Sequence, residues 1–202
     1  YRDIEDLLAE RGLDISYETV RRWFLKFGSP IARNLTASRP TPSDHWHLDE
    51  MVLVIRGKKH WLWRAVDNEG EGLDFLGQPR RTAKAAIKLI RKLLKKQRII
   101  PTRIVTDKLR SYHVAFKEIG LTAEHIDIKR ANNRAENSHQ PIRRRERKMQ
   151  RFKSPGSAQR FLNIQSAAYN HFYLQRHFLK RVTFKQFRDK ATDVWNHASA
   201  AA

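Results

Sequence analysis

Three acidic residues stand where an ionised carboxylate needs a partner. Asp49 lies midway along a run of strand-forming residues, Trp46-His47-Leu48-Asp49-Glu50-Met51-Val52-Leu53-Val54, and an unpaired charge buried there is strongly unfavourable. Asp107 ends the apolar stretch Ile104-Val105-Thr106, at the carboxyl end of a strand, where ligand sites in α/β sheets gather. Glu136 sits in Asn132-Asn133-Arg134-Ala135-Glu136-Asn137-Ser138-His139. That segment leads into a cationic one, with seven basic residues from Arg143 to Lys153 and a single acid, Glu146. Brought together from two strands and a helix, Asp49, Asp107 and Glu136 would repel one another unless a divalent cation neutralised them. Oxygen-only ligands favour Mg²⁺ or Mn²⁺ over Zn²⁺. Two such ions about 3.5–4 Å apart would activate an attacking water or hydroxyl and stabilise the leaving oxygen of a phosphodiester.

The remaining acids read differently. Strand alternation points Glu50 to the face opposite Asp49, Asp67, Glu69 and Glu71 suit a solvated turn, and Asp74 is structural. His47 shares a face with Asp49, and Glu136 with His139 forms a lone Glu-x-x-His. Either leaves a histidine ligand open as the lesser alternative. His171 and His177 are read as surface or packing residues.

On a helix starting near Asn133, Glu136, His139 or Gln140, and Arg143 stack along one face, with Pro141 either kinking that helix or marking its start. Arg143 would then lie beside the acids and hold a phosphate. Arg144, Arg147, Lys148 and Arg151 would extend the track, or else form a basic coat on a surface helix. Ala135, Ile142, Met149 and Phe152 form the stripe expected in the core.

The elements that must position these groups are legible in part. Strands are expected at 45–55, 59–67 and 73–77, followed by a helix whose apolar stripe is Ala83, Ala86, Ile87, Ile90, Leu93 and Leu94. The Lys- and Arg-rich face of that helix reads as solvated surface. A strand at 103–106, a helix at 108–120, a strand at 123–128, the Glu136 helix and a helix opened by Pro155 complete a mixed α/β layer fold. Phe184, Phe187, Val194 and Trp195 mark a short closing helix or a protomer contact, and Ala198–Ala202 a frayed tail.

At the amino end, Ile4, Leu7 and Leu8 mark one short helix and Ser16 caps a second carrying Val20, Trp23, Phe24 and Phe27. This is either a helix-turn-helix or an ordinary helical hairpin. In the first case Tyr17, Glu18, Thr19, Arg21 and Arg22 are placed to meet a DNA groove. Gly28-Ser29-Pro30 is read as the end of the second helix. The expected organisation is thus a DNA-binding unit at 1–28, a linker at 29–44, a catalytic core at 45–180, and a closing helix and tail at 181–202.

Composition sets the class of partner. The 202 residues carry 41 Lys and Arg against 21 Asp and Glu, a formal net charge of +20, which points to a polyanion. Ten Phe and five Trp within 40% apolar residues argue for a folded chain. No apolar run approaches a membrane-spanning length, so no membrane partner is expected. With no Cys, no disulfide framework or thiolate metal site exists, in keeping with a cytoplasmic protein. The chain begins at Tyr1 rather than Met and is read as a fragment, clipped before or within its amino-terminal unit.

Trp46-His47-Leu48-Asp49-Glu50, Ile104-Val105-Thr106-Asp107-Lys108 and Asn132 through His139 resemble, in order, the three catalytic blocks of the DDE transposases of IS6-type insertion sequences. Arg80, Ala83, Lys84, Arg143-Arg144-Arg145, Met149 and Phe152-Lys153-Ser154 join the match. The resemblance implies an RNase H-like mixed sheet flanked by helices, preceded by a small all-α helix-turn-helix. It also implies Asp49, Asp107 and Glu136 as the catalytic metal triad for Mg²⁺ or Mn²⁺, with two ions per site, and Arg143 at the family's basic position. The implied activity is cleavage at transposon terminal repeats and strand transfer to target DNA. The enzyme would act as a homodimer or higher oligomer, associated with the nucleoid. The gap from Asp107 to Glu136 is several residues shorter than the family shows. Two other functions fit the same residues: a catalytically inactive, DNA-binding transposase remnant, and a related RNase H-like polynucleotidyl hydrolase.

Overall fold

β1 (His45–Ile55) is the axis of a five-stranded sheet. Its alternating side chains divide between two cores. Trp46 and Leu48 pack on one face, while Met51, Leu53 and Ile55 pack on the other. The computed structural model describes residues 1–128, 132–174 and 178–202, and the side chains of Arg134 and Glu136 also fall outside it. His177 therefore lies outside the described residues.

β2 (Lys58–Asp67) pairs antiparallel with β1 and with β3 (Gly72–Gln78). The β1–β2 turn is Arg56-Gly57, both at positive φ, 50° and 76°, as a two-residue hairpin of matching twist requires. On the other edge of β1, β4 (Arg103–Val105) and β5 (Glu124–Ile126) run parallel. The resulting order, β3-β2-β1-β4-β5, is the mixed sheet expected of an RNase H-like core. α3 (Ala83–Gln97) and α4 (Arg110–Ile119) cover the Trp46 face. α5 (Asn133–Lys148) and the start of α6 (Pro155–Phe172) supply Ile142, Ala158 and Leu162 to the other face.

Several expectations change here. Asp67 is not solvated: it is 1% exposed and its Oδ1 accepts the Glu69 and Glu71 amides at 3.0 and 2.9 Å, closing the β2–β3 turn. Asp74, expected to be structural, is 2% exposed, and its Oδ1 lies 3.0 Å from Lys92 Nζ. Two lysines of the α3 basic face are thereby committed to the fold, since Lys96 Nζ also donates to the Leu73 carbonyl at 3.1 Å. Met149 leaves the expected core stripe and is 39% exposed, whereas Ala135, Ile142 and Phe152 are buried.

The chain divides into two compact units, residues 40–163, which hold the sheet, and residues 1–39 with 164–202. In the second, α1 (Arg2–Ala9) precedes α2 (Tyr17–Ala37), which begins at a Ser16 cap accepting the Thr19 amide. α2 does not end at Gly28-Ser29-Pro30. Val20, Phe24, Phe27, Gly28, Ile31, Ala32 and Leu35 recur at helical spacing through that tripeptide, and Val20, Gly28, Ala32 and Leu35 are buried. Packing of this stripe outweighs the hydrogen bond that Pro30 cannot make. The helical part of the expected linker is thus α2 itself. Trp23, expected on its apolar face, is 45% exposed. α7 (Arg181–Ala200) is a full-length helix. Its last turn is not frayed, because Ala198 is buried and its carbonyl accepts Asn34 Nδ2 at 2.9 Å.

Ile142 is the apolar peg of α5 and is 2% exposed. Ile142→Ala should lower unfolding stability by about 2–5 kcal/mol, measured by urea denaturation. A loss below about 0.5 kcal/mol would show that α5 is not held this way.

Candidate active site and metal centre

Asp49 and Asp107 arrive from neighbouring strands. The parallel register pairs His47 with Val105, so two residues further on the two aspartates stand level. Thr106, fully buried, fixes the end of β4 through its hydroxyl, which donates to the Asp107 carbonyl at 2.7 Å. Asp107 Oδ1 then accepts the Leu109 amide at 3.2 Å as the chain turns into α4.

Glu50 belongs to the same cluster. Alternation does send it to the α4 side of the sheet, yet one oxygen from each of Asp49, Glu50 and Asp107 lies within 4.8 Å of the others. Its reading as a bystander is therefore corrected. The Glu50 side chain is wholly buried. One oxygen accepts the Tyr112 hydroxyl at 2.9 Å and the other pairs with Arg81. Arg81 also reaches Asp107 Oδ2 at 2.8 Å and lies over the Trp61 ring, 5.1 Å from its centroid. Burial, then the Asp107 charge, raise the Glu50 pKa against the opposing pull of Arg81 and Tyr112. Burial and Glu50 hold the Tyr112 hydroxyl well above its ordinary value, so it stays a donor. The Tyr112 ring packs edge-on against Trp63.

On the opposite face α5 is fastened directly over Asp49. Its N-cap residue, Asn132, is 4% exposed and donates from Nδ2 to the Leu48 carbonyl at 2.7 Å. Arg64, the cross-strand neighbour of Asp49, donates to the Ser138 carbonyl of α5. His139 Nδ1 lies 3.7 Å from Asp49 Oδ2. Burial foremost, then the charges of Arg64 and Arg143, lower the His139 pKa to about 4. Its imidazole is consequently neutral at pH 7 and carries a lone pair. Glu136 falls in the first turn of α5, but its side chain lies outside the described residues.

The helix runs through Pro141 without ending, which keeps Arg143 on the expected turn. Its Nη1 is paired with the buried Glu146 at 3.0 Å. Arg144, Arg147, Lys148 and Arg151 are exposed. At the start of α2, the Thr19 hydroxyl lies 3.1 Å from Ser16 Oγ and Arg21 pairs with Glu18 at 2.8 Å. Tyr17 is exposed under the Arg2 guanidinium, and Arg22 is exposed.

Glu50, Arg64, Arg81 and Tyr112 were not singled out from sequence as site groups. Arg64 carried the same signal as Asp49, a charge within the apolar strand segment Trp61-Leu62-Trp63-Arg64-Ala65-Val66. Arg81 and Tyr112 carried none, because what defines them is contact across the fold. The cluster offers only carboxylate oxygens, a donor set suited to a hard divalent cation. His47 is not one of its three members.

The chain is similar to proteins already known. A model of the DDE domain matches residues 43–175. The transposase of the insertion sequence-like element IS431mec from Staphylococcus aureus is 31% identical over 156 residues, 74% of this chain and 69% of its own. The transposase of IS257 in transposon Tn4003, also from Staphylococcus aureus, matches with the same identity and coverage. Among solved structures, the HTLV-2 integrase catalytic core domain in complex with magnesium aligns with a TM-score of 0.48 and 16% identity, over 68% of this chain and 90% of that one. A chain of the simian T-cell lymphotropic virus intasome aligns with a TM-score of 0.47 and 14% identity. That alignment takes in 68% of this chain, which spans about half of its neighbour, 51%. The chain belongs to the DDE transposases of IS6-type insertion sequences, a family of polynucleotidyl transferases. No described helix is long and apolar enough to cross a membrane.

The lowered His139 pKa sets a pH dependence. As pH falls below about 6.5, the unfolded chain binds a proton at this position before the folded one does, so stability is lost until the folded pKa near 4 is passed. Urea midpoints of the metal-free protein between pH 7 and 4.5 should therefore fall more steeply for wild type than for His139→Asn. Parallel curves would show that the imidazole is not shielded.

Proposed function

We propose that the chain cleaves DNA at the ends of an insertion sequence and joins the freed ends to target DNA, using Asp49, Asp107 and Glu136 as its metal-binding catalytic triad. The observation that supports this most directly is the convergence of Asp49 and Asp107 on one point from adjacent strands, beneath a helix that carries Glu136 in its first turn. Mg²⁺ or Mn²⁺, as two ions, would supply activation of the attacking oxygen and charge stabilisation at the leaving one. In cleavage, a water oxygen bonds to phosphorus as the P–O3′ bond breaks, leaving a 3′-hydroxyl. In transfer, that hydroxyl oxygen bonds to a target phosphorus, its proton is released, and the displaced target 3′-oxygen takes up a proton.

The chain's own groups divide the remaining work. The Asp107 side chain is 36% exposed, against 13% for Asp49, so the site opens to substrate on the Asp107 side. Arg143 stands at the end of the Glu136 face of α5, where it would hold a scissile-strand phosphate. Arg144, Arg147, Lys148 and Arg151 continue a cationic surface for the DNA backbone. Residues 1–28 would form the DNA-binding unit. In it the amino-terminal turn of α2 presents Tyr17 and Arg22 to a groove, while Thr19 and Arg21 hold the turn in shape. Bringing two element ends together calls for a homodimer or larger assembly on DNA, at the nucleoid.

Asp49→Asn and Asp107→Asn should each reduce cleavage and strand transfer by about a hundredfold or more while DNA retention in a gel-shift assay persists. Strand transfer at wild-type rates in either variant would remove the assignment. Arg144→Ala and Arg147→Ala should each flatten the salt dependence of DNA binding, lowering the slope of log affinity against log salt by about one. An unchanged slope would place the DNA elsewhere.

A further inference from the structure

Arg81 presents a problem that the proposed reaction leaves open. A guanidinium is a permanent cation, and this one contacts Oδ2 of Asp107 at 2.8 Å, a carboxylate that belongs to the acid cluster. Its place is not accidental. Glu50, wholly buried, holds it from one side, and the Tyr112 hydroxyl holds Glu50. The Trp61 ring supports the guanidinium at 5.1 Å. The other Asp107 oxygen is occupied by the Leu109 amide. Both oxygens of a supposed metal ligand are thus engaged, one by a positive charge.

We propose that Arg81 is a latch on the metal site: it neutralises Asp107 while no metal is bound and competes with the metal for the Asp107 carboxylate, with Glu50 as the buried anchor that sets how hard it competes. This rests on the assignment of Asp107 as a metal ligand. The physical basis is like-charge repulsion. Two carboxylates this close on adjacent strands raise each other's energy, and a guanidinium removes that repulsion in the metal-free protein. The same positive charge within a few ångströms of an incoming divalent cation weakens its binding. Glu50 moderates the competition by sharing the guanidinium. Without that negative charge, Arg81 would be drawn more fully onto Asp107. Glu50 and Arg81 are on this account positioning residues acting on Asp107, and their effects on metal binding have opposite signs.

The test is a double-mutant cycle read by calorimetric titration of Mn²⁺ into the DNA-free protein, with thermal unfolding followed in parallel. Arg81→Gln should bind Mn²⁺ more tightly, on the order of tenfold, and the metal-free protein should melt at a lower temperature. Glu50→Gln should bind it more weakly. In the Arg81→Gln background the Glu50→Gln change should lose most of its effect, because its target is gone. Weaker Mn²⁺ binding by Arg81→Gln would overturn the latch. A Glu50→Gln penalty of the same size in both backgrounds would also overturn it, making Glu50 a direct ligand. If neither wild type nor Arg81→Gln takes up Mn²⁺, the metal site itself is wrong and the latch falls with it. If wild type binds and Arg81→Gln binds equally well, only the latch is lost. Tyr112→Phe, which loosens the anchor without changing charge, should shift affinity in the same direction as Glu50→Gln but by less.

Discussion

Repulsion between carboxylates is the constraint around which this fold is arranged. Asp49, Glu50 and Asp107 are held within one ion's reach of each other, the first two buried in the sheet and the third partly open to water. Such a group cannot stand without positive charge nearby. Arg64 lies cross-strand from Asp49 and Arg81 bridges Glu50 to Asp107. Each arginine is also fixed to something other than an acid, Arg64 to the α5 carbonyl of Ser138 and Arg81 to the Trp61 ring. The compensating charges are therefore held in place by contacts of their own and not by the acids alone.

The helix over the site is placed with the same economy. Asn132 ties the start of α5 to the backbone of β1 next to Asp49, and Ile142 seats it in the second core ten residues later. Between the two lies the turn that carries Glu136 and His139. Pro141 is accommodated because the turn before it is pinned by Arg64 and the turn after it by Ile142, so a lost helical hydrogen bond does not free the helix.

Much of this was legible in the sequence. β1, β2, α3 and the Asp107 strand announce themselves by periodicity, and Asp49 by being charged where its neighbours are apolar. What was not legible had two physical causes. Gly28-Ser29-Pro30 reads locally as a stop, yet the apolar stripe from Val20 to Leu35 passes straight through it, and packing of a long stripe outweighs three unfavourable residues. The other cause is long-range contact. Nothing near Glu50 in the chain says that Tyr112 and Arg81 will meet it, and strand alternation alone sets it apart from Asp49. Alternation was right about direction. The pairing of β1 with β4 stops at His47 and Val105, however, and beyond that point side chains from both faces of β1 can reach the same carboxylate, Asp107.

Asp49 and Glu50 are consecutive residues serving opposite faces of one strand, and this bears on how the sequence can change over time. A strand has a period of two, so inserting or deleting one residue in β1 ahead of the pair would turn Asp49 toward α4 and Glu50 toward α5. The exchange would present acids on both faces still, but each at the wrong length for its neighbours, with Trp46 and Leu48 moved out of their core as well. Substitutions in this strand can be tested by selection one at a time. Changes in its length cannot, because a single step alters both faces of the sheet at once.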